Sequence, residues 1–178
     1  VPIVVAINKC DLPDADVQKV KNQLLEHELI AEDLSGDTIM VEISAKTKNN
    51  IDKLLELILL QAEILDLKSD FNSNSNGIVL ESKIDIGRGP IVNVIITSGK
   101  LKKGDYFVCG TKWGKVRAII NDKGKPIDFA LPSTPVEILG INGAAKSGDD
   151  FLVVDSEKEA KSLCEARVQE SKDEKIPL

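Results

Sequence analysis

The sequence is poor in the residues that build disulfide frameworks, zinc sites and histidine-based active sites. Its 178 residues include three cysteines, Cys10, Cys109 and Cys164, which lie far apart and form no C-x-x-C pair. An odd and scattered set argues against a disulfide framework or a zinc site, and it fits a reducing, cytoplasmic compartment. The one histidine, His27, falls on the solvent side of a predicted helix with no partner nearby, so we expect no catalytic role for it.

Long apolar runs and targeting signals are also missing. The most apolar segment, 54–67, is interrupted by Glu56, Gln61, Glu63 and Asp66, and it is too polar to cross a membrane. No signal-peptide pattern opens the chain. The sequence instead enters an apolar strand at once, and we expect it to be part of a longer protein.

The first informative stretch is an apolar run that ends in the tetrad Asn8-Lys9-Cys10-Asp11. The run from Pro2 to Ile7 is rich in Val and Ile, and it predicts a strand buried on both faces of a parallel sheet. Ligands of such sheets bind beyond the carboxyl ends of the strands, which is where the tetrad falls. The tetrad is therefore a candidate binding loop.

The tetrad has the chemistry needed to read guanine. The Asp11 carboxylate can accept hydrogen bonds from guanine N1–H and from its exocyclic amine, whereas adenine offers neither donor in that geometry. A site of this kind can reject the wrong base by about 10⁴-fold, because its carboxylate would stay unpaired. Lys9 can lie over the purine face, and the Asn8 amide can tie the loop to neighbouring backbone.

A second strand end carries a matching signal. Residues 39–43 form another short apolar run, which ends in Ser44-Ala45-Lys46. We expect the Ala45 N–H to donate to guanine O6 and Lys46 to cover the other face of the base. Both motifs at strand ends in this order arise by chance with a frequency on the order of 10⁻⁴. Together they predict a guanine-nucleotide site.

Helical periodicity places two helices around these strands, one that carries Val17, Val20, Leu24 and Leu25 and extends to His27, and one at about 51–67. Asn50 is the expected N-cap of the second helix. Residues 1–67 therefore predict the order strand, helix, strand, helix, which is an α/β unit corresponding to half of a guanine-nucleotide-binding domain. Residues 68–76 are rich in Ser and Asn and predict a linker. The apolar stripe of the second helix is expected to comprise Ile51, Leu54, Leu55, Ile58, Leu59 and Ala62.

From residue 77 the apolar period changes to two. Predicted strands at 78–86, 91–97, 106–109, 115–120, 135–141 and 151–154 are separated by turn residues. This spacing predicts a small antiparallel β-barrel over residues 77–155, with Ile78, Leu80, Ile84 and Ile86 as the apolar set of its first strand. The capping box Ser156-x-x-Glu159 then predicts an exit helix within 156–178.

Charge divides the chain into two different parts. Residues 1–70 carry 7 basic and 14 acidic side chains, whereas residues 77–155 carry 11 and 9, so only the barrel suits a polyanion. One interpretation is an RNA contact, with Trp113 as stacking platform or anchor. The other is a solvated hairpin with protective edge-strand lysines, which composition alone favours. The candidate contact residues are Arg88, Lys112, Trp113, Lys115 and Arg117.

The order of motifs, linker and barrel resembles the translational GTPases. Over residues 3–161 the sequence is most similar to the bacterial-type translation initiation factor 2 family. The turn Gly87-Arg88-Gly89-Pro90 and the segment PSTPVEILG at 132–140 are, in combination, specific to that family. The elongation factor Tu family shares the architecture and fits these segments less well.

This resemblance implies a GTP-dependent factor that brings initiator tRNA to the small ribosomal subunit and promotes subunit joining. It implies that Asn8, Lys9 and Asp11 contact the guanine of GTP or GDP, and that Ser44, Ala45 and Lys46 form its rim. It also implies a barrel that faces 16S-type ribosomal RNA, a tRNA-binding domain outside these 178 residues, and no membrane partner.

The sequence departs from the family in its phosphate machinery. No G-x-x-x-x-G-K-[ST] motif occurs, and the switch segments, the Mg²⁺ ligands and the water-positioning histidine are missing too. Phosphoryl transfer depends on those groups, so we expect no catalytic residue and no metal ligand here, and no GTP hydrolysis by this chain alone. The alternative is a self-standing ribosome- or RNA-binding module without GTPase activity.

Overall fold

The computed structural model describes residues 1–173 and divides the chain into two compact units, Val1–Leu67 and Lys68–Leu178. The last five residues of the predicted exit segment 156–178 lie outside the described residues. The first unit contains β1 (Val4–Ile7), α1 (Val17–Leu25), a 3₁₀ turn (Glu32–Leu34), β2 (Ile39–Glu42) and α2 (Ile51–Leu65). β1 and β2 pair in parallel. This confirms the predicted α/β order of strand, helix, strand, helix.

β1 is less buried than its composition predicts. Ala6 is exposed, Val4 and Val5 are half-buried, and only Ile7 is fully buried. Among the described residues β1 pairs with β2 alone, so its other edge has no neighbouring strand. A strand that ought to lie inside a parallel sheet therefore lies at an edge.

α2 packs on this narrow sheet through only part of the predicted stripe, Ile51 and Leu54, together with Leu57. Leu55, Ile58 and Leu59, which belong to the predicted stripe, are 53%, 45% and 65% exposed. Two strands are too few to cover a broad apolar helix face, so only a narrow line of the helix makes contact. The residues packed against buried Ile39, Val41 and Ile43 are Ile51, Leu54 and Leu57.

Asn50 does not cap α2 as predicted. Its backbone is left-handed, with φ of 57°, and its side chain makes no capping hydrogen bond. The Asn50 amide instead donates to the Glu42 carbonyl at 2.9 Å. Asn50 thus ties the start of α2 to the end of β2.

The second unit is an antiparallel barrel followed by α3 (Glu157–Asp173). In chain order the strands are β3 (Asn76–Asp85), β4 (Gly89–Ser98), β5 (Leu101–Lys102), β6 (Tyr106–Cys109), β7 (Lys112–Asn121), β8 (Pro126–Ile127), β9 (Phe129–Ala130), β10 (Pro135–Ile141) and β11 (Asp150–Val154). Six of them are hydrogen-bonded in the order β10-β4-β3-β11-β6-β7, and pairing of β10 with β7 closes the barrel. The predicted antiparallel barrel is confirmed.

The barrel core combines aromatic and branched aliphatic side chains. The Phe107 and Phe151 rings pack with their centres 5.0 Å apart. Burying each large core side chain contributes about 1.5–3 kcal/mol. The largest fully buried residues include Ile91, Ile96, Leu101, Phe107, Ile119, Ile138 and Phe151.

The apolar pattern of β3 favours one set of alternating residues as its inner face. In the structure the other set faces the core. Val79 is 1% exposed, whereas Ile78 and Leu80 are 50% and 48% exposed. Residues 78–80 are all apolar, so a period of two identifies the strand without identifying its inner face. The alternating apolar set Ile78, Leu80, Ile84 and Ile86 is exposed and does not form part of the core.

Residues 68–75 are attached to the barrel, unlike the free linker that their composition indicates. Ser69 Oγ donates to the Thr97 carbonyl at 2.6 Å, and the Gly99 N–H donates to the Asp70 carbonyl at 2.7 Å. Gly99 has φ of +69°, and a Cβ there would lie 2.6 Å from the Ser75 backbone. This close approach requires glycine and fixes the segment in place.

α3 is held against the barrel along much of its length. The Ser156 half of the predicted capping box forms, because Ser156 Oγ accepts from the Glu159 N–H at 3.2 Å. Glu159 Oε2 accepts from the N–H of the preceding residue, Asp155, at 3.0 Å. Three turns later the Arg167 guanidinium donates to both carboxylate oxygens of Asp150, at 2.8 and 2.7 Å. It also donates to the Gly110 carbonyl at 2.9 Å. The helix therefore lies on the barrel surface at least as far as Arg167.

We expect the first unit to exchange its amide hydrogens faster than the barrel. β1 has one neighbouring strand and α2 leaves much of its apolar surface exposed, so opening Val1–Leu67 costs less free energy than opening the closed barrel. Hydrogen–deuterium exchange with mass spectrometry should show strong protection over β3–β11 and weak protection over β1–β2. Equal protection of the two units would contradict this expectation and indicate that the first unit is completed by self-association.

Candidate nucleotide site and basic barrel surface

The parallel pairing of β1 and β2 brings the two sequence motifs to the same edge of the sheet. The Ile43 N–H donates to the Ile7 carbonyl at 2.8 Å, and the Cys10 N–H donates to the Ile43 carbonyl at 3.2 Å. These backbone bonds continue the ladder past the last paired residues of each strand. The first loop, residues 8–11, therefore lies directly beside the second loop, residues 44–46.

Ser44 joins the two loops through its side chain. Its hydroxyl donates to Asp11 Oδ1 at 2.7 Å and accepts from the Thr47 N–H at 3.1 Å. Ser44 is buried, whereas Asp11 is exposed. The hydrogen bond thus orients an exposed carboxylate from a fixed, buried position.

Asn8 is the other link between the loops. Its Oδ1 accepts from the Lys9 N–H at 2.7 Å and from the Ala45 N–H at 3.0 Å. Lys9 has a left-handed backbone with φ of 65°. Such a conformation costs a residue with a side chain about 1–2 kcal/mol, and the bond to Asn8 compensates for part of this cost.

The Ala45 N–H donates to Asn8 in this structure, whereas the sequence predicts that it donates to guanine O6. A base carbonyl at this position would have to share the N–H with Asn8 Oδ1 or displace it. The side chains of Lys9, Asp11 and Lys46 are all exposed at the same edge. The edge therefore exposes one oriented carboxylate and two lysine side chains on neighbouring loops.

The residues that the sequence groups as RNA contacts do not form one patch. Arg88 lies in the turn between β3 and β4, where its guanidinium donates to Glu137 at 2.7 Å and to Asp85 at 3.3 Å. The pKa of Asp85 lies below its usual value, first because the Gly87 and Arg88 N–H groups donate to its carboxylate and then because the guanidinium does. Arg88 is thus held by two carboxylates, and a phosphate would compete with both.

Trp113 mainly holds α3 on the barrel and offers little open surface for stacking. It is half-buried and packs with Val108, Val154 and Leu163. Lys161 of α3 places its Nζ 5.1 Å from the centre of the Trp113 ring. Its contacts therefore join the barrel to the helix.

Lys115 and Arg117 are exposed on the outer face of β7, on either side of buried Val116. Lys112, at the start of the strand, is half-buried, and its side chain lies beside Gly143. Two of the five predicted contact residues thus remain fully open to solvent on one strand.

Sequence reasoning missed the lysines that lie next to these two. The Gly104 N–H donates to the Val116 carbonyl at 2.8 Å, and the Val116 N–H donates to the Asp105 carbonyl at 2.9 Å. This backbone pair brings the loop that carries Lys102 and Lys103 beside Lys115 and Arg117. The sequence signal was the run Lys102-Lys103, but no periodicity shows that this loop pairs with β7.

The cysteines and acidic residues supply no metal centre in the part of the chain that the structure describes. Among residues 1–173, no group of three or more His, Cys, Asp or Glu side chains could hold a metal ion. Burial raises the pKa of the Cys109 thiol to about 12, so this residue stays protonated in the core at neutral pH. Within the same residues, no helix is long and apolar enough to span a membrane.

Two protein-family models match the chain. Residues 1–63 match the elongation factor Tu GTP binding domain, and residues 74–154 match elongation factor G domain 2. The two matches divide the chain between the unit that carries the loops and the unit that carries the barrel.

Curated relatives match over nearly the whole chain. Translation initiation factor IF-2 of Pelagibacter ubique (strain HTCC1062) is 74% identical over all 178 residues, and IF-2 of Cereibacter sphaeroides (strain ATCC 17029) is 51% identical over 98% of the chain. The chain spans 24% and 21% of the length of these two proteins.

Solved structures share the fold. GDP-bound aIF5B from Aeropyrum pernix superposes with a TM-score of 0.75 at 24% identity, over 97% of this chain and 37% of that one. Apo elongation factor SelB from Methanococcus maripaludis gives a TM-score of 0.63 at 23% identity, over 88% of this chain and 34% of that one. At such identities the similarity concerns the fold alone.

Proposed function

The chain is homologous to a segment of bacterial translation initiation factor IF-2, and we propose that it supplies the guanine-reading loops and a ribosome-facing barrel of such a factor. The whole protein would use GTP to promote initiator tRNA binding to the small ribosomal subunit and subunit joining, in the cytoplasm. We assign residues 1–67 to half of the GTPase domain and 77–155 to the second domain. Residues 68–76 connect them, and 156–178 lead out of the barrel.

The hydrogen bond from Ser44 Oγ to Asp11 Oδ1 carries this proposal. It joins the two motifs that a guanine site needs and holds the carboxylate at the open edge of the sheet. In the proposed complex Asp11 accepts from guanine N1–H and the exocyclic amine, and Lys9 and Lys46 cover the two faces of the base. Asn8 keeps the loops together, and the Ala45 N–H turns toward O6.

The barrel contributes the contact with ribosomal RNA in this proposal. Lys115 and Arg117 are exposed side by side on β7, and the loop with Lys102 and Lys103 adds positive charge next to them. Phosphates are the main source of affinity for such surfaces. Initiator tRNA binds a part of the factor outside these 178 residues.

We expect the 178-residue chain to bind GDP weakly. Phosphate and Mg²⁺ contacts normally supply much of a nucleotide's affinity, and base contacts alone must offset the full cost of immobilising the ligand. Isothermal titration calorimetry should therefore detect no sub-micromolar binding, with full-length IF-2 from Pelagibacter ubique as the positive control. A sub-micromolar dissociation constant for the short chain would contradict this expectation.

Asp11→Asn should shift the base preference from guanine toward xanthine. Asparagine presents one donor and one acceptor, which match the C2 carbonyl and N1–H of xanthine and mismatch the two donors of guanine. The test uses a chimera in which residues 1–178 replace the corresponding segment of Pelagibacter ubique IF-2, assayed by competition between GTP and XTP. Asp14→Asn, a change of the same kind in the same exposed segment, serves as the control. Unchanged preference for GTP in the Asp11 variant would remove Asp11 from the proposed role.

Changing Lys115 and Arg117 to Glu in the same chimera should weaken binding to isolated small ribosomal subunits. Each lost phosphate contact lowers the slope of log K against log salt by about 0.7–0.9, so the double variant should lose roughly 1.4–1.8. Barrel stability should change little, because both side chains point to solvent. Lys146→Glu with Lys158→Glu makes the same change in net charge elsewhere on the unit and should leave the slope unchanged. Wild-type affinity across a salt series would reduce Lys115 and Arg117 to solvated surface residues.

A further inference from the structure

A groove on the barrel unit opens beside β7. It has a volume of about 580 Å³ and lies between residues 71–75, the loop 100–105 and the end of β11. This volume falls within the range of about 300–1,000 Å³ that is typical of small-molecule sites. Neither of the two sequence motifs contributes to it, and its lining residues come from three separate parts of the chain.

Two aromatic side chains line the groove. Phe71 is 57% exposed, although it is one of the most apolar residues of its segment. Tyr106 is half-buried and lies at the start of β6. Exposed aromatic faces beside a cationic strand are the usual stacking surfaces for the bases of single-stranded nucleic acid.

The rim of the groove is cationic and continuous with the basic face of β7. Lys100 is held with its Nζ 3.9 Å from the centre of the Phe129 ring. Lys115 pairs directly opposite Tyr106 in the β6–β7 ladder, and its Nζ lies 5.3 Å from the Tyr106 ring centre. Tyr106 therefore belongs both to the groove and to the surface that carries Lys115.

Two carboxylates, Asp105 and Asp155, line the groove together with Lys100 and Lys102, so the charges of its lining sum to zero. Asp105 Oδ2 accepts from the Lys102 N–H at 2.9 Å, and Asp155 Oδ1 accepts from the Asn74 amide at 3.5 Å. Carboxylates and amides supply the acceptors and donors that the edge of a base needs, whereas phosphates would be favoured only at the rim.

The wall that carries Phe71 is already ordered by the barrel. The bonds of Ser69 to Thr97 and of Gly99 to Asp70 precede and support it, and the Val153 N–H donates to the Ser75 carbonyl at 2.9 Å. Binding there would not have to order a loose segment, which removes a large part of the usual entropic cost.

We propose that this groove receives one unpaired nucleotide of RNA. The base stacks against exposed Phe71, Tyr106 forms part of the wall beside it, and the flanking phosphates contact Lys100 and Lys102 at the rim. This site rests on the proposed RNA contact of β7 and extends it, because the strand that crosses Lys115 and Arg117 continues over Tyr106 into the groove. The partner is thus single-stranded RNA and not a duplex, in which the bases are already stacked.

The test measures binding of the 178-residue chain to a fluorescein-labelled single-stranded RNA decamer by fluorescence anisotropy, over a series of salt concentrations. Phe71→Ser should weaken binding at least about five-fold, the lower end of what a stacked base contributes. Its salt slope should stay unchanged, because stacking releases no counterions. Lys100→Gln with Lys102→Gln should lower both the affinity and the salt slope.

Matched controls separate the groove from general surface effects. Ile86→Ser removes another exposed apolar side chain, and Lys123→Gln with Lys125→Gln removes two lysines that do not line the groove. The first should leave binding unchanged, and the second should cause a smaller loss than the Lys100 and Lys102 pair. A decamer that lacks its bases should bind the wild-type chain more weakly, and Phe71→Ser should not weaken its binding further.

Each failure has a distinct meaning. One outcome is that Phe71→Ser binds the decamer normally, whereas changing Lys115 and Arg117 to Glu lowers the affinity. This result would overturn the groove proposal and leave the proposed β7 contact intact. Normal binding by both variants would overturn both proposals. Equal affinity for a duplex of the same length, or an equal loss with Ile86→Ser, would also overturn the groove. Because Phe71 is largely exposed, its replacement leaves the core intact, and the thermal melting of each variant checks this.

Discussion

Pairing of β10 with β7 is the constraint on which most of this structure depends. β10 and β7 are the first and last of the six strands in spatial order, so their pairing closes the sheet around its core. The two strands approach so closely near Gly140, which has φ of +118°, that a Cβ there would overlap the Lys115 carbonyl. The register shift between Leu139 and Ile141 takes up the extra residue. A Cβ at Gly114 on the facing strand would likewise meet the Gly140 carbonyl, so these two glycines together permit the closure.

The first unit has no comparable constraint, and yet its two candidate binding loops, 8–11 and 44–46, are well defined. A two-stranded sheet cannot cover α2 or the outer edge of β1, so apolar surface stays exposed. The relative position of the two loops needs only the parallel register of β1 and β2, with Ile7 opposite Glu42. Ser44 and Asn8 then lock the loops locally. In this unit the precise placement of the two loops therefore does not depend on a high stability of the structure around them.

The elements that the sequence predicts correctly are those with a signal in local periodicity or in a short motif. The two motif-bearing strands, the antiparallel barrel and the Ser156 cap of α3 are of this kind. The inner face of β3 could not be read, because three consecutive residues are apolar. Asn50 occupies the N-cap position without a capping side-chain bond, because its backbone is left-handed where a capping residue is normally extended.

The features that the sequence does not predict depend on contacts between residues that are far apart in the chain. The Arg88 ion pair spans 49 positions to Glu137, and the attachment of Ser69 spans 28 to Thr97. No local pattern reports such pairs, so the sequence gives no sign that Arg88 is already engaged or that residues 68–75 form a wall. The groove lined by Phe71 and Tyr106 could be found only after three chain segments had been placed together.

The attachment of α3 has a mechanical consequence. Arg167 donates two hydrogen bonds to Asp150, which is the first residue of β11. β11 in turn pairs with both β3 and β6. Seventeen helical residues span about 25 Å, and Arg167 lies near two-thirds of that length. A force applied beyond Asp173 therefore acts through only about two turns of helix before it reaches the strands of the barrel. Movement of that end should be transmitted through Arg167 to β11, and through its pairing with β3 and β6 to the rest of the barrel.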